Sequence, residues 1–176
     1  ADLVTSGVVA PAEAFDGSTI TVTYHVENRG LKATDQTSWN DTIWLTRDRT
    51  RPNTTKGDVL LATVTHVGIL GNDPSVISPP TGYDVTVTVT LPKHISGQFF
   101  ITPWSDSFDI VHKSTQSGNV NPDDPTQVNN DNYKARAINI LLTPPPDLVV
   151  TTVAPQLSAV GGDEYTVNWT VQNQGA

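Results

Sequence analysis

Between Trp104 and Asn132 the sequence sets Asp106, Asp109, Asp123, Asp124 and Asp131 among Asn119, Asn121, Asn129, Asn130 and Asn132, with Lys113 as the only fixed positive charge. Calcium takes about six to eight oxygen ligands from carboxylates, amides, backbone carbonyls and water, and this stretch could supply them. The spacing is neither that of an EF-hand nor that of a glycine-rich calcium repeat. The same residue types also cap turns, because Asp and Asn side chains accept from backbone amides a few positions away. Turn capping alone accounts for the NPDDP and NNDN clusters, and it is the competing expectation for this segment.

Other chemistry is thinner. The loop Asp48 to Asp58 carries Arg47, Arg49, Arg51 and Lys56 at or beside its carboxylates. Those cations would compete with a metal, so a solvated, internally neutralised loop is expected there. Trp39 and Trp44 lie five residues apart on one candidate strand and must point to opposite faces. One of them could therefore stack on a sugar while the other packs in a core, which keeps a carbohydrate-binding module as the alternative function. His25, His66, His94 and His112 are not paired at metal-ligand spacing, and neither a nucleophile elbow nor a phosphate loop occurs. No catalysis is expected. The sequons at Asn40, Asn53 and Asn168 carry little weight in a Thr-rich chain.

The elements that must position these groups are strands. Charged residues make up 16% of the chain, and Thr, Val, Asn, Asp, Pro and Gly are prominent, a mix that favours strands and turns. Period-two alternation is plain in STITVTYHV, with Ile20, Val22, Tyr24 and Val26 on one face, and in YDVTVTVTL, with Tyr83, Val85, Val87, Val89 and Leu91 on one face. Further strands are predicted over Leu3 to Val9, Trp39 to Thr46, Val59 to Val67, Gln98 to Trp104 and Tyr133 to Leu142. Seven short strands without helical patterns between them predict an all-β, immunoglobulin-like β-sandwich of about seven antiparallel strands.

Sliding the sequence along itself reveals a repeat. Asp2 to Gly30 aligns without a gap onto Asp147 to Gly175, at a spacing of 145 residues, with 11 of 29 positions identical. The identities include Asp2 with Asp147, Leu3 with Leu148, Val22 with Val167, Val26 with Val171, Asn28 with Asn173 and Gly30 with Gly175. Trp169 takes the place of Tyr24, and a core role is expected for it. One sandwich domain over residues 1–143, a Pro-rich linker at 144–146 and the truncated start of a second copy over 147–176 follow as the domain reading. Two strands alone are marginal in water, so the second copy is expected to be flexible, to pair with the first domain or to find another chain.

The chain resembles the CARDB family, the cell-adhesion-related domain found in bacteria. The resemblance is carried by the DLVVT-type opening at Asp2 and Asp147, ITVTYHVENRG and YTVNWTVQNQG, SWNDTIWLTRDRT leading to KGDVLLATVTHVG, VTVTVTLP with GQFFITPWSD, and VNNDNY. It covers residues 2 to 143 and the second copy. It implies an immunoglobulin-like module of large exported bacterial proteins with an adhesive or spacer role, and no defined ligand. It also implies that VNNDNY is a structural lead-in to the last strand.

Charge and composition bound the partners. Ten Lys and Arg against 18 Asp and Glu give a net charge of -8, which repels phosphate backbones and anionic lipid. Nucleic acid and membrane insertion are therefore not expected, while neighbouring repeats of the same chain and a cell-surface protein or polysaccharide are. With no Cys, disulfides, thiolate catalysis and cysteine-ligated zinc are excluded by inventory. No apolar stretch approaches the roughly 20 residues needed to cross a bilayer. An extracellular or bacterial cell-surface location is expected, with any export signal or anchor outside this stretch.

Overall fold

A computed structural model describes residues 1–71, 80–112 and 132–175. The chain divides into two compact units, Ala1–Leu142 and Thr143–Ala176.

In the first unit the strands are β1 (Leu3–Val9), β2 (Glu13–Phe15), β3 (Thr19–Asn28), β4 (Ser38–Thr46), β5 (Val59–Val67), β6 (Gly82–Thr90), β7 (Gly97–Trp104) and β8 (Arg136–Leu141). They form a three-stranded sheet in the order β1-β3-β6 and a five-stranded sheet in the order β2-β8-β7-β4-β5. The N-terminal segment thus contributes to both sheets, β1 to one and β2 to the other, as in immunoglobulin-like sandwiches. Threonine and valine alternate along β3 and β6, which pair antiparallel from Thr19↔Thr90 to Glu27↔Gly82. Val22, Val26, Val85 and Val89, with Ile20 and Tyr24, are buried as the alternation requires, and Val87 packs half-buried against them. Facing them from the other sheet are Trp39, Ile43, Leu45, Phe99, Ile101, Ile138 and Ile140, which complete one contiguous apolar core.

Two details depart from the sequence expectation. First, an eighth strand, β2, is present, and it pairs parallel with β8 through Glu13↔Asn139, Ala14↔Ile140 and Phe15↔Leu141. Three residues are too few to display a period, so alternation could not announce it. Second, the last strand begins at Arg136 instead of Tyr133. Pro103 interrupts the donors of β7 at that level, since proline has no N–H to give the ladder. Tyr133 keeps only a single bridge to Trp104, and the Lys134 amide donates to Pro103 O at 3.1 Å.

The start of β1 is tied to the end of β3 by Asn28. Its Oδ1 accepts from the amides of Asp2 at 2.8 Å and Gly30 at 3.0 Å, and the Arg29 amide donates to Asp2 O at 2.8 Å. Its Nδ2 donates to Lys32 O and Leu70 O. The chain passes so close here that a Cβ on Gly30 would lie 2.7 Å from the carbonyl carbon of Ala1 and 2.8 Å from the Asp2 nitrogen. Only glycine fits that approach.

The second unit is a hairpin of β9 (Leu148–Pro155) and β10 (Val167–Asn173), paired antiparallel from Asn173↔Leu148 to Val167↔Pro155 with one register shift between Thr170 and Val171. Asn173 Oδ1 accepts from the amides of Asp147 at 2.9 Å and Gly175 at 3.1 Å, and the Gln174 amide donates to Asp147 O at 2.7 Å. A Cβ on Gly175 would meet the Asp147 nitrogen at 2.7 Å. Trp169, expected in a core by its equivalence to Tyr24, is 65% exposed. A two-stranded ribbon has no second layer with which to bury a ring of that size.

Candidate functional site

Of the five aspartates singled out in the 104–132 segment, Asp106 and Asp109 are described, while Asp123, Asp124 and Asp131 lie outside the described residues. Asp106 sits just past β7 in the left-handed region, with φ of 45°, and is buried. Its Oδ1 accepts from the Ile110 amide at 3.0 Å and its Oδ2 from the Val111 amide at 3.1 Å. Asp109, also left-handed and exposed, closes the turn with its amide on Asp106 O at 2.9 Å. Asp106 therefore caps its own turn, the alternative weighed from the sequence. Asn132 does similar work, donating from Nδ2 to Ser105 O while its own carbonyl accepts from Ser105 N and Thr5 Oγ1. Among the described residues no three His, Cys, Asp or Glu side chains gather as a metal-holding group.

The turn leads inward to a group that sequence reasoning did not single out. Asp41, on β4, is fully buried. Its Oδ1 accepts from the Asp106 amide at 3.0 Å, and its Oδ2 accepts from the Tyr83 hydroxyl at 2.8 Å and the Tyr24 hydroxyl at 3.1 Å. Tyr83 accepts in turn from Trp39 Nε1 at 3.0 Å. Burial pushes the Asp41 carboxyl up to about 6, against the pull of the two tyrosines and the amide, which favour the ionised form. Burial and the neighbouring carboxylate likewise hold both tyrosine hydroxyls well above their usual range. Asp41 thus ties β4 of one sheet to β3 and β6 of the other, and to the acidic segment. The signal was an aspartate at an inward position of the SWNDTIWLT alternation, flanked by Trp39 and Ile43 on the same face.

His66, opposite Trp39 on edge strand β5, stacks on Tyr83 with ring centroids 3.9 Å apart and lies 4.3 Å from the Trp39 ring. Burial lowers its pKa, a shift opposed by a backbone hydrogen bond with Gly68. Antibody domains set a buried Trp of the equivalent strand against a disulfide. In this cysteine-free chain Trp39 packs instead on His66 and Tyr83.

The Asp48 to Asp58 loop is internally neutralised as expected, but Asp58 is buried and not solvated. Its two oxygens accept from the Arg47 and Asn53 amides at 2.9 and 2.8 Å, which draws it inward, and Lys56 Nζ lies 3.5 Å away. The same Nζ donates to Asp48 Oδ1 at 2.9 Å. Hydrogen bonds from Thr50, and then Lys56, hold the Asp48 carboxyl below its usual range. The arginines of the loop lie over rings of β7: Arg47 over Phe99, Arg49 over Phe100 and Arg51 over Trp104, at 4.8, 5.4 and 5.5 Å. Trp44, Phe100 and Trp104 share the outer face of the five-stranded sheet, half-buried, while Trp39 points into the core. Two of those three outer rings already carry a guanidinium.

Neither a scan of protein families nor a search of curated proteins finds a match to the sequence. Solved structures do match. The crystal structure of a CARDB domain from Pyrococcus furiosus, in complex with di-metal ions, aligns at 15% identity and a TM-score of 0.49, covering 80% of this chain and 94% of that one. The solution structure of the same domain aligns at 14% identity and a TM-score of 0.48. A beta-glucosidase from Listeria innocua aligns at 14% identity and a TM-score of 0.36, with 16% of its own chain covered.

Proposed function

We propose that the chain is a non-catalytic adhesion or spacer module of a large exported bacterial repeat protein, working outside the cell by rigidity and repetition. The observation that carries this reading is the clamp built twice. Asn28 with Asp2 and Gly30, and Asn173 with Asp147 and Gly175, make the same hydrogen bonds at the repeat spacing. A repeat that preserves backbone geometry, not merely composition, is a structural unit meant to recur. The cross-sheet bonds of Asp41 and the pinned Asp48 to Asp58 loop add stiffness to the first copy.

Its partners in this reading are neighbouring repeats and a cell-surface protein or polysaccharide. Calcium at the acidic segment is the finer part of the proposal, supported by the concentration of carboxylates in a segment that Asp106 anchors to the core. The alternative, a carbohydrate-binding module, draws on Trp44, whose ring lies on the outer sheet face beside Trp104.

Two measurements test the reading. Thermal unfolding with added calcium and then chelator should show an upward shift that the chelator reverses, because an ion held only by the folded state stabilises by mass action. Beads coated with the chain should be retained on bacterial surfaces or immobilised polysaccharide. Turnover of a polysaccharide by the purified chain would overturn the non-catalytic reading.

A further inference from the structure

The β9–β10 hairpin has two unlike faces. Cross-strand pairing sets Leu148 beside Asn173, Val150 beside Val171, Val153 beside Trp169 and Pro155 beside Val167, so one face is almost wholly apolar. The register shift brings Val150 and Val153 to the same side although they are three residues apart. The other face carries Thr152, Asn168, Thr170 and Gln172, with Val149 and Ala154 between them. The apolar face is open to solvent, with Leu148 68% and Trp169 65% exposed.

The first unit shows what such a face is built to meet. The equivalents Leu3, Val22, Tyr24 and Val26 are at most 2% exposed, packed against the inward residues of the β2-β8-β7-β4-β5 sheet. The equivalence is one of geometry as well as sequence, since the first three pairs of β9–β10 reproduce Leu3↔Asn28, Val4↔Glu27 and Thr5↔Val26 of β1–β3. Beyond its pairing with β1, β3 takes β6 on its second edge, and among the described residues β10 pairs only with β9.

Resting on the tandem-repeat reading above, we propose that the β9–β10 hairpin is the docking face for a sheet of the β8-β7-β4-β5 pattern, supplied in the same polypeptide and carrying a buried acceptor within reach of the Trp169 indole nitrogen. The acceptor follows from one substitution. Tyr24 donates its hydroxyl hydrogen to buried Asp41, and Trp169 in its place also carries a donor, an indole N–H set on the side of the ring and nearer the backbone than a phenol oxygen. A buried N–H without a partner is costly, which favours an oxygen of the covering sheet within reach of the indole nitrogen. A strand in the role of β6 would then occupy the second edge of β10.

The test extends the chain by a second copy of the Leu31–Leu142 sequence, joined after Gly175, and reads amide hydrogen exchange of residues 148–155 and 167–173 together with tryptophan emission. The expected result is at least tenfold slower exchange in β9–β10 than in the unextended chain, with emission shifted to shorter wavelength in comparison with a Trp169→Phe variant. Changing Asp41→Ala in the appended stretch alone should remove part of that protection. Unchanged exchange in β9–β10, whether the appended stretch folds elsewhere or stays unfolded, overturns the proposal, because hairpin and sheet together should suffice. Protection that appears in the unextended chain, rising with its concentration, also overturns it and assigns the face to a second copy. Loss of the docking with bead retention intact leaves the module reading standing, whereas docking without retention points to a pure spacer.

Discussion

Asn173 repeats the bonds of Asn28 at 145 residues' distance, each closing its hairpin by accepting two amides, one from the opening aspartate and one from the glycine two residues on. The two differ in their amide nitrogens. That of Asn28 is spent on Lys32 O and Leu70 O, inside the first unit.

Asn28→Ala should therefore cost the first unit about 2–4 kcal/mol, since it strands buried amides and carbonyls as well as losing bonds. Asn173→Ala should leave the unfolding of the first unit unchanged and speed amide exchange only at Asp147 and Gly175. Chemical denaturation for the first variant and exchange for the second check the contrast, and an equal effect of both on the first unit would contradict it.

Asp41 should make stability depend on pH. Its folded pKa of about 6 stands above the model-peptide value of 3.8, so the native state binds the proton more tightly than the unfolded state does. The stability this contributes is complete below the unfolded value and is lost as pH rises through about 6. Across roughly pH 4 to pH 8 the loss amounts to about 2.5 kcal/mol. In Asp41→Asn that component vanishes, so the stability gap between wild type and variant should shift in favour of the variant as pH rises. A gap constant over that range would refute the assignment.

His66 should act in the opposite sense. Its pKa is lowered by burial, so the stability it contributes is present above the unfolded value of 6.5 and lost as pH falls through the folded value. His66→Phe keeps a ring against Tyr83 and Trp39 and should raise Tm at about pH 5 while leaving it nearly unchanged at about pH 8. Thermal melts at the two pH values decide it.

Asp58→Ala should loosen the loop that carries the three arginines. Losing a buried carboxylate that accepts two amides and faces Lys56 is expected to cost about 2–3 kcal/mol. Fast amide exchange at Arg47 and Asn53 in the variant is the local sign to look for.

Much of this architecture could be read from the chain before its folding. The valine–threonine alternation of β3 and β6 fixes which side chains face inward, and the self-alignment picks out Asp2, Asn28 and Gly30 as residues with a shared task. The task itself was hidden, because a bond between residues 26 positions apart leaves no local pattern. β2 escaped notice because it is short, and Asp41 because an inward aspartate breaks alternation in the same way as an ordinary surface interruption would. Its meaning comes from Tyr24, Tyr83 and the Asp106 amide, which converge on it only in the folded sandwich. The acidic segment displayed its composition plainly, yet composition does not distinguish an oxygen that caps a turn from one that could ligate an ion, and at Asp106 both oxygens accept from backbone amides.

The short parallel pairing of β2 with β8 has a mechanical corollary. These strands belong to the two ends of the first unit and run in the same direction, held by Glu13↔Asn139 to Phe15↔Leu141, by the Asn139 amide on Ala12 O and by the Asp16 amide on Leu141 O. Tension applied to the two ends pulls such strands past each other along their length, so the bonds resist together and do not open one at a time like a zipper. Under such tension the unit would give way at a high threshold force, set by a few backbone bonds and not by the size of its core. Single-molecule pulling of the chain should accordingly show one sharp rupture, lowered by Asp16→Pro, which deletes the Asp16 amide from the set.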